Sequence, residues 1–351
     1  MTRMTPDERI HAFTELGEIL NELLRGELHH PLSNKFKERF DTDTEVAFHH
    51  NGWFDKPSVD KALTHLLPWL TTDALKAWTS PYLKTFSPES PKTIGIIMAG
   101  NIPLVGFHDL LSVLISGNRV LGKTSSKDPL LPKLVLDILK AIEPRFTDFI
   151  ELTNDRFSAI DAVIATGSNN SMRYFEHYFG KYPHILRGNR NSIAVLNGSE
   201  TKEELKALGE DIFTFYGLGC RNVTNLIVPS GYDFSNFFEA IEPLNAVIQN
   251  KKYANNYEYN RTVWLLNSEQ GLLDNNFLII KPQETIGSPI GTLFYQFYDS
   301  SSEVADMIHR EDRNIQCVVG KEYLPFGVAQ QPGLEDYPDK VNVLDFISSL
   351  D

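Results

Sequence analysis

The sequence predicts an α/β protein with two lobes, and three observations carry that expectation. From Thr93 onward, apolar β-branched runs alternate with helical patterns, the mark of a parallel sheet with crossover helices. The residues before Thr93 show only helical periodicity with loops between. At 351 residues the chain is longer than one core usually supports.

Taken in order, "DERIHAFTELGEILNELLRGEL" places Ile10, Phe13, Leu16, Ile19, Leu20 and Leu23 at helical spacing. Ser58 to Asp60 are expected to open a second amphipathic helix, with Pro57 just ahead of it. The pairs His29–His30 and His49–His50 lack the i,i+4 spacing of a metal site and read as solvated loop histidines. "TIGIIMAG" is a buried-strand run, "LVGFHDLLSVLISG" a helix ended by Gly117, and "NRVLGKTS" a second strand. The next helix is expected to take Asp128 as N-cap with Pro129 at its first position. "FIELT" and "DAVIATGS" add further strands. Ligands of such sheets bind beyond the carboxyl ends of the strands, where "AGNIPL", "GKTSS" and "ATGSNN" fall. The dinucleotide fingerprint G-x-G-x-x-G is absent from these turns.

Composition, at 42% hydrophobic and 23% charged, is that of a soluble globular protein, and no apolar run reaches the ~20 residues of a membrane span. A net charge of −13 disfavours nonspecific binding to nucleic acid or an anionic membrane. Nothing near Met1 reads as a secretory signal, so the two cysteines are expected to be reduced and cytoplasmic. Cys317, within "NIQCVVG", reads as strand core. Cys220, within "FYGLGCRNVTNLIVP", sits between a helix-like and a strand-like run. On local grounds it is either a turn filler or a reactive thiol.

"AGNIPLVGFHDLLSVLISGNRVLGKTS", "ATGS" and "GLGC" occur in the order in which the aldehyde dehydrogenase superfamily has its asparagine loop, Gly-Ser turn and nucleophile loop. With "GWFDKPSVDKAL" and "PFGVAQQPGLEDYPDKVNVLDFI", the chain resembles the LuxC-type acyl-CoA reductases of that superfamily over most of its length. The resemblance implies an aldehyde dehydrogenase-like fold, with a Rossmann-type cofactor lobe and an α/β catalytic lobe.

It also implies chemistry. Cys220 would attack an acyl thioester, expel coenzyme A and hold the acyl group as a new thioester. The Asn101 amide and the Cys220 N–H would steady the oxyanion; standing alone, Asn101 would read as a turn residue. Lys123, Ser126 and Lys127 would meet the adenosine ribose. The neutral Ser126, where NAD-preferring relatives commonly carry glutamate, favours NADPH. Gly167 and Ser168 would face the pyrophosphate, and Glu284 the nicotinamide ribose. No metal is implied.

Hydrolytic relatives carry a water-activating glutamate where this chain has Leu186 or Arg187, which fits a reductase; Glu176 or Glu210 could substitute in space. Arg221 either lowers the Cys220 pKa or points to solvent. The expected function is NADPH-dependent reduction of a fatty acyl-CoA to the aldehyde. The alternatives are a short-chain acylating aldehyde dehydrogenase, a γ-glutamyl phosphate reductase, or a non-reducing acyl-transfer subunit. A homo-oligomer and an acyl-transferase or synthetase partner are further expectations. Expected limits are 1–195 for the N-terminal helices and nucleotide lobe, 196–315 for the thiol lobe, and 316–351 for a segment returning to the nucleotide lobe.

Overall fold

The computed structural model of the chain describes residues 3–86, 90–157 and 159–350. It divides into two compact units, Met1–Gly188 with Gly333–Asp351, and Asn189–Pro332.

The first unit begins with four helices, α1 (Pro6–Arg25), α2 (Pro31–His50), α3 (Lys56–Leu66) and α4 (Thr72–Thr79). Thr5 and Glu8 form a capping box that starts α1, and Gly26 in the left-handed region ends it. The six apolar residues read from its periodicity are each no more than 3% exposed. α3 starts earlier than expected. Asp55 accepts the Ser58 N–H, so Pro57 lies inside the first turn, where its missing N–H costs nothing. His30 is not a solvated loop residue, because its Nδ1 accepts the Leu32 N–H and caps α2.

Strands and helices then alternate: β1 (Thr93–Ile97), α5 (Phe107–Ile115), β2 (Arg119–Lys123), α6 (Leu131–Ile142), β3 (Ile150–Leu152), β4 (Ala162–Thr166), α7 (Asn169–Phe179) and β5 (His184–Arg187). The sheet order is β3-β2-β1-β4-β5, with every pair parallel. Order reverses between β1 and β4, so the loops leaving these two strands part and open a crevice at the carboxyl edge.

The second unit runs β6 (Asn191–Val195), α8 (Lys202–Phe213), β7 (Val223–Pro229), α9 (Ser235–Ile241), α10 (Lys251–Leu266), β8 (Leu273–Asp274), β9 (Ile279–Pro282), β10 (Thr292–Tyr298), α11 (Ser301–Arg310) and β11 (Ile315–Gly320). Its sheet has the order β11-β6-β7-β10-β9-β8, and only β8 is antiparallel. The chain joins the first unit again at Gly333, later than the expected 316, because β11 pairs with β6 and completes this second sheet. The first division likewise falls after Gly188 rather than after 195, since β6 already belongs to the second sheet. Among the described residues, no helix is long and apolar enough to cross a membrane.

The returning stretch, which includes α12 (Val343–Ser348), docks on α5. His108, buried and held neutral by desolvation, donates from Nε2 to the Leu334 carbonyl at 2.9 Å. Its ring meets Trp69 and Tyr337 edge-on, and Trp78 donates to the Tyr337 hydroxyl at 2.8 Å.

At the other end of α5, buried Arg9 donates to the carbonyls of Ile115, Met4 and Phe86. Burial draws its pKa down to about 10, so it remains charged at neutral pH. Arg9→Met strips three buried carbonyls of their donor and should lower the unfolding free energy by about 3 kcal/mol in urea titrations. A loss under about 1 kcal/mol would show that water takes over those carbonyls.

Candidate active site

In the second unit, the chain leaving α8 reverses sharply. Phe215 and Tyr216 adopt left-handed conformations at φ 53° and 58°, and Gly217 takes the next at φ 78°. Two non-glycine residues in that region cost roughly 1 kcal/mol or more each, and burial of Phe215 helps to hold them. A tight turn follows: the Asn222 N–H donates to the Gly219 carbonyl at 3.1 Å, and the Gly219 N–H to Asn222 Oδ1 at 2.7 Å. Cys220 is the second residue of this turn, half-buried, just ahead of the amino end of β7.

Asn222, 0% exposed, also turns its Nδ2 to the carbonyls of Asp211, Ile212 and Thr214 at 3.0, 3.2 and 2.8 Å. These are the carbonyls at the end of α8 that helix geometry leaves without partners. One side chain therefore ties the helix end to the cysteine turn. Arg221 donates through Nε to the Ala329 carbonyl, and the buried Asp211 carboxylate accepts the N–H groups of Gly327 and Ala329 at 2.6 and 2.9 Å. The segment "FGVAQQ" is thus clasped from both sides of the loop. Burial raises the Asp211 pKa to about 6 against the pull of those two bonds.

Cys317 is not strand core as expected. It is half-buried on β11, beside β6. Glu284 has an exposed side chain after β9, and its carbonyl accepts from Gln296 Nε2 at 2.9 Å. The chain beyond it folds back toward the amino ends of β6 and β7: Asn225 donates to the Thr285 carbonyl, and Gly287 packs on Asn191.

In the first unit, the remaining expected residues gather on loops at the carboxyl edge. Half-buried Asn101 follows Gly100, whose carbonyl accepts from Asn51 Nδ2 at 3.0 Å. A Cβ on Gly100 would lie 2.5 Å from Ser125 Oγ, so the loops after β1 and β2 touch only because residue 100 is glycine. Leu104, at φ 57°, donates its N–H to Asp128 Oδ2 at 2.8 Å. Asp128 is not itself the N-cap residue, since α6 begins at Leu131 behind Leu130, but its carboxylate accepts the Leu131 N–H at the helix start as well as anchoring the Asn101 loop through Leu104.

Lys123 donates to the Asn154 carbonyl at 2.9 Å, while Ser126 and Lys127 are exposed. Gly167 spends its N–H on the Arg187 carbonyl at 3.0 Å, as a continuation of the sheet. It is therefore not one of the donors expected to face a pyrophosphate. Ser168 caps α7, its hydroxyl accepting the Ser171 N–H.

Of the two residues expected where hydrolytic relatives carry glutamate, Leu186 is half-buried and has no proton acceptor, and Arg187 is 2% exposed and gives Nη1 to both Asp109 oxygens at 2.8 and 2.7 Å. Glu176 is exposed on α7, and Glu210 belongs to α8 in the other unit. Sequence reading missed Asn222, Asn225 and Asn51. The first two had a visible signal, since they are polar residues inside or next to an apolar strand run.

Burial raises the Asp128 pKa to about 6, with the N–H bonds of Leu104 and Leu131 opposing. A carboxyl whose folded pKa lies above its unfolded value binds more protons when folded, so its share of stability falls as pH rises between the two values. Against wild type, Asp128→Asn should gain on the order of 3 kcal/mol between about pH 4 and pH 7. Denaturant midpoints across that range measure it, and a flat difference would mean that Asp128 titrates as it does in water.

Comparison with known proteins gives these loops a context. The family model for acyl-CoA reductase (LuxC) matches residues 49–253, more than half of the 351. No curated protein matches. Similar solved structures include a mutant aldehyde dehydrogenase from Bacillus cereus, with 15% identity and TM-score 0.60 over 90% of this chain and 72% of that one. HpcC from Thermus thermophilus has 12% identity and TM-score 0.62 over 90% and 70%. A Mycobacterium tuberculosis aldehyde dehydrogenase complexed with NAD+ has 12% identity and TM-score 0.55 over 88% and 76%. At such identities the likeness establishes the fold, with its Rossmann-type sheet. Through the family match, with the motifs in the same order, the chain belongs to the LuxC acyl-CoA reductases and is an oxidoreductase acting on acyl groups.

Proposed function

We propose that the protein reduces a fatty acyl-CoA, or another acyl thioester, to the aldehyde with NADPH, by way of a thioester on Cys220. The observation that carries this reading is the Cys220 turn. It is a half-buried thiol on a strained loop whose neighbours Gly219, Arg221 and Asn222 are each anchored, as a nucleophile held in one geometry requires. The Cys220 sulfur forms a bond to the thioester carbonyl carbon, and the bond to the coenzyme A sulfur breaks. The oxyanion that forms on the way takes donors from the Cys220 N–H and the Asn101 amide, the latter on a loop fixed by Asn51 and Asp128. With Leu186 and Arg187 unable to activate water, the acyl-enzyme survives until it is reduced, and the Cys220 thiolate is regenerated as aldehyde leaves.

The residues at the carboxyl edge fit a phosphorylated nicotinamide dinucleotide. Exposed Ser126 carries no charge and exposed Lys127 carries a positive one, so a 2′-phosphate meets attraction where a carboxylate would repel it. Bound there, NADPH supplies the hydride. The Mycobacterium tuberculosis structure complexed with NAD+, and a second Bacillus cereus aldehyde dehydrogenase structure that is also an NAD+ complex, support a nicotinamide cofactor.

Acyl-CoA plus NADPH should give aldehyde and free coenzyme A with little acid, followed by nicotinamide absorbance and chromatography of the product. Cys220→Ala should abolish both turnover and acyl labelling. Thiol-independent oxidation of aldehyde to acid would overturn the reading, and acyl-CoA consumption without nicotinamide oxidation would indicate acyl transfer instead. Cofactor choice is tested separately. Wild type should favour NADPH over NADH in kcat/KM, and Ser126→Glu should shift preference toward NADH by about tenfold, or roughly 1.4 kcal/mol. A wild type that already prefers NADH contradicts the assignment of Ser126 and Lys127.

A further inference from the structure

Both cysteines of the chain meet one hydroxyl, Cys220 through its backbone carbonyl and Cys317 through its thiol and N–H. Ser192 lies on β6, between β7 and β11, with 0% exposure. Its Oγ is 3.1 Å from the Cys220 carbonyl oxygen and 3.1 Å from Cys317 Sγ, and it accepts the Cys317 N–H at 3.2 Å. A serine hydroxyl has one hydrogen to give and two lone pairs to offer. The Cys220 carbonyl can only accept, so the Ser192 hydrogen goes there. One lone pair takes the Cys317 N–H, and the other is left for the Cys317 S–H. The order of donation is therefore Cys317 S–H to Ser192 O–H to the Cys220 carbonyl, and it requires Cys317 as a protonated thiol.

The consequence falls on the nucleophile. The Gly219 N–H, before Cys220, is held by Asn222, and the carbonyl of Cys220 is held by Ser192. Backbone is thus anchored on both sides of the Cys220 Cα, which sets the direction of its side chain. We propose that Cys317 is a positioning residue for Cys220, acting through Ser192. The proposal rests on Cys220 being the reactive thiol. Polarised by the thiol behind it, the Ser192 hydroxyl makes a stronger bond to the carbonyl than it would alone. Loss of the thiol leaves a buried hydroxyl with one lone pair unmatched and a looser hold on the peptide. Misplacement by about 1 Å can cost as much as 10²-fold in rate.

The test compares Cys317→Val, which fills similar space without a donor, with Cys317→Ser, which restores an O–H. Two rates are read at Cys220 alone by peptide mass spectrometry: alkylation by iodoacetamide, and acylation by a long-chain acyl-CoA. Melting temperature is measured in parallel. Cys317→Val should slow both reactions by about tenfold, with kcat reduced and KM unchanged, while Cys317→Ser stays within about threefold of wild type. Wild-type rates in Cys317→Val overturn the proposal. So does an equal loss in Val and Ser variants that tracks their melting temperatures. Should wild type be alkylated but not acylated, the proposed reduction fails, and the alkylation rates alone decide the role of Cys317.

Discussion

One buried side-chain amide, that of Asn222, carries the geometry on which the Cys220 loop depends. Its oxygen and nitrogen serve the cysteine turn and the end of α8 together, so neither can shift without the other. A buried amide so engaged cannot be replaced by an apolar residue without orphaning the Gly219 N–H and several carbonyls at once. The same turn of α8 extends the network outward. The Asp211 carbonyl receives Asn222, and its carboxylate receives Gly327 and Ala329. Strain at Phe215 and Tyr216 persists because both ends of the reversal are fixed in this way.

The first unit solves a similar problem differently. Its Asn101 loop is held at one point by Asn51 and at another by Asp128, with Gly100 pressed against Ser125 between them. The buried Arg187–Asp109 pair stands at the end of β5. A guanidinium committed in this way has no proton-accepting capacity, and under the proposed function it would, with Leu186, leave an acyl-enzyme without a base to activate water.

Much of this was legible in the sequence, for reasons that can be stated. α1 and the β1-α5-β2 succession follow from periodicity, a local property. The motifs around Asn101 and Cys220 are contiguous in sequence, so their order could be matched against a family. What was not legible depends on partners distant in sequence. Asp128 read as a helix cap alone because its other partner besides Leu131, the Leu104 N–H, lies 24 residues away. Asn51 reaches Gly100 across 49 positions, and Ser192 reaches Cys317 across 125. Cys317 read as core because an apolar β-branched run reports a buried strand, not whether a hydroxyl waits opposite one of its residues. The later return to the first unit has the same origin, since β11 could be seen as a strand but not assigned to a sheet.

The first unit is assembled from two separate stretches of chain, with the whole second unit between them. During synthesis, residues 189–332 leave the ribosome before the stretch that carries Leu334 and Tyr337. The second sheet has all its strands at that point, and a continuous unit is free to fold as it emerges. The first cannot finish: His108 on α5 still lacks its carbonyl and the Tyr337 ring, and the Trp78 indole lacks the phenol it donates to. A nascent chain that has emerged as far as Pro332 would therefore carry a second unit with all its strands and a first unit with an open aromatic face, the kind of surface that chaperones bind.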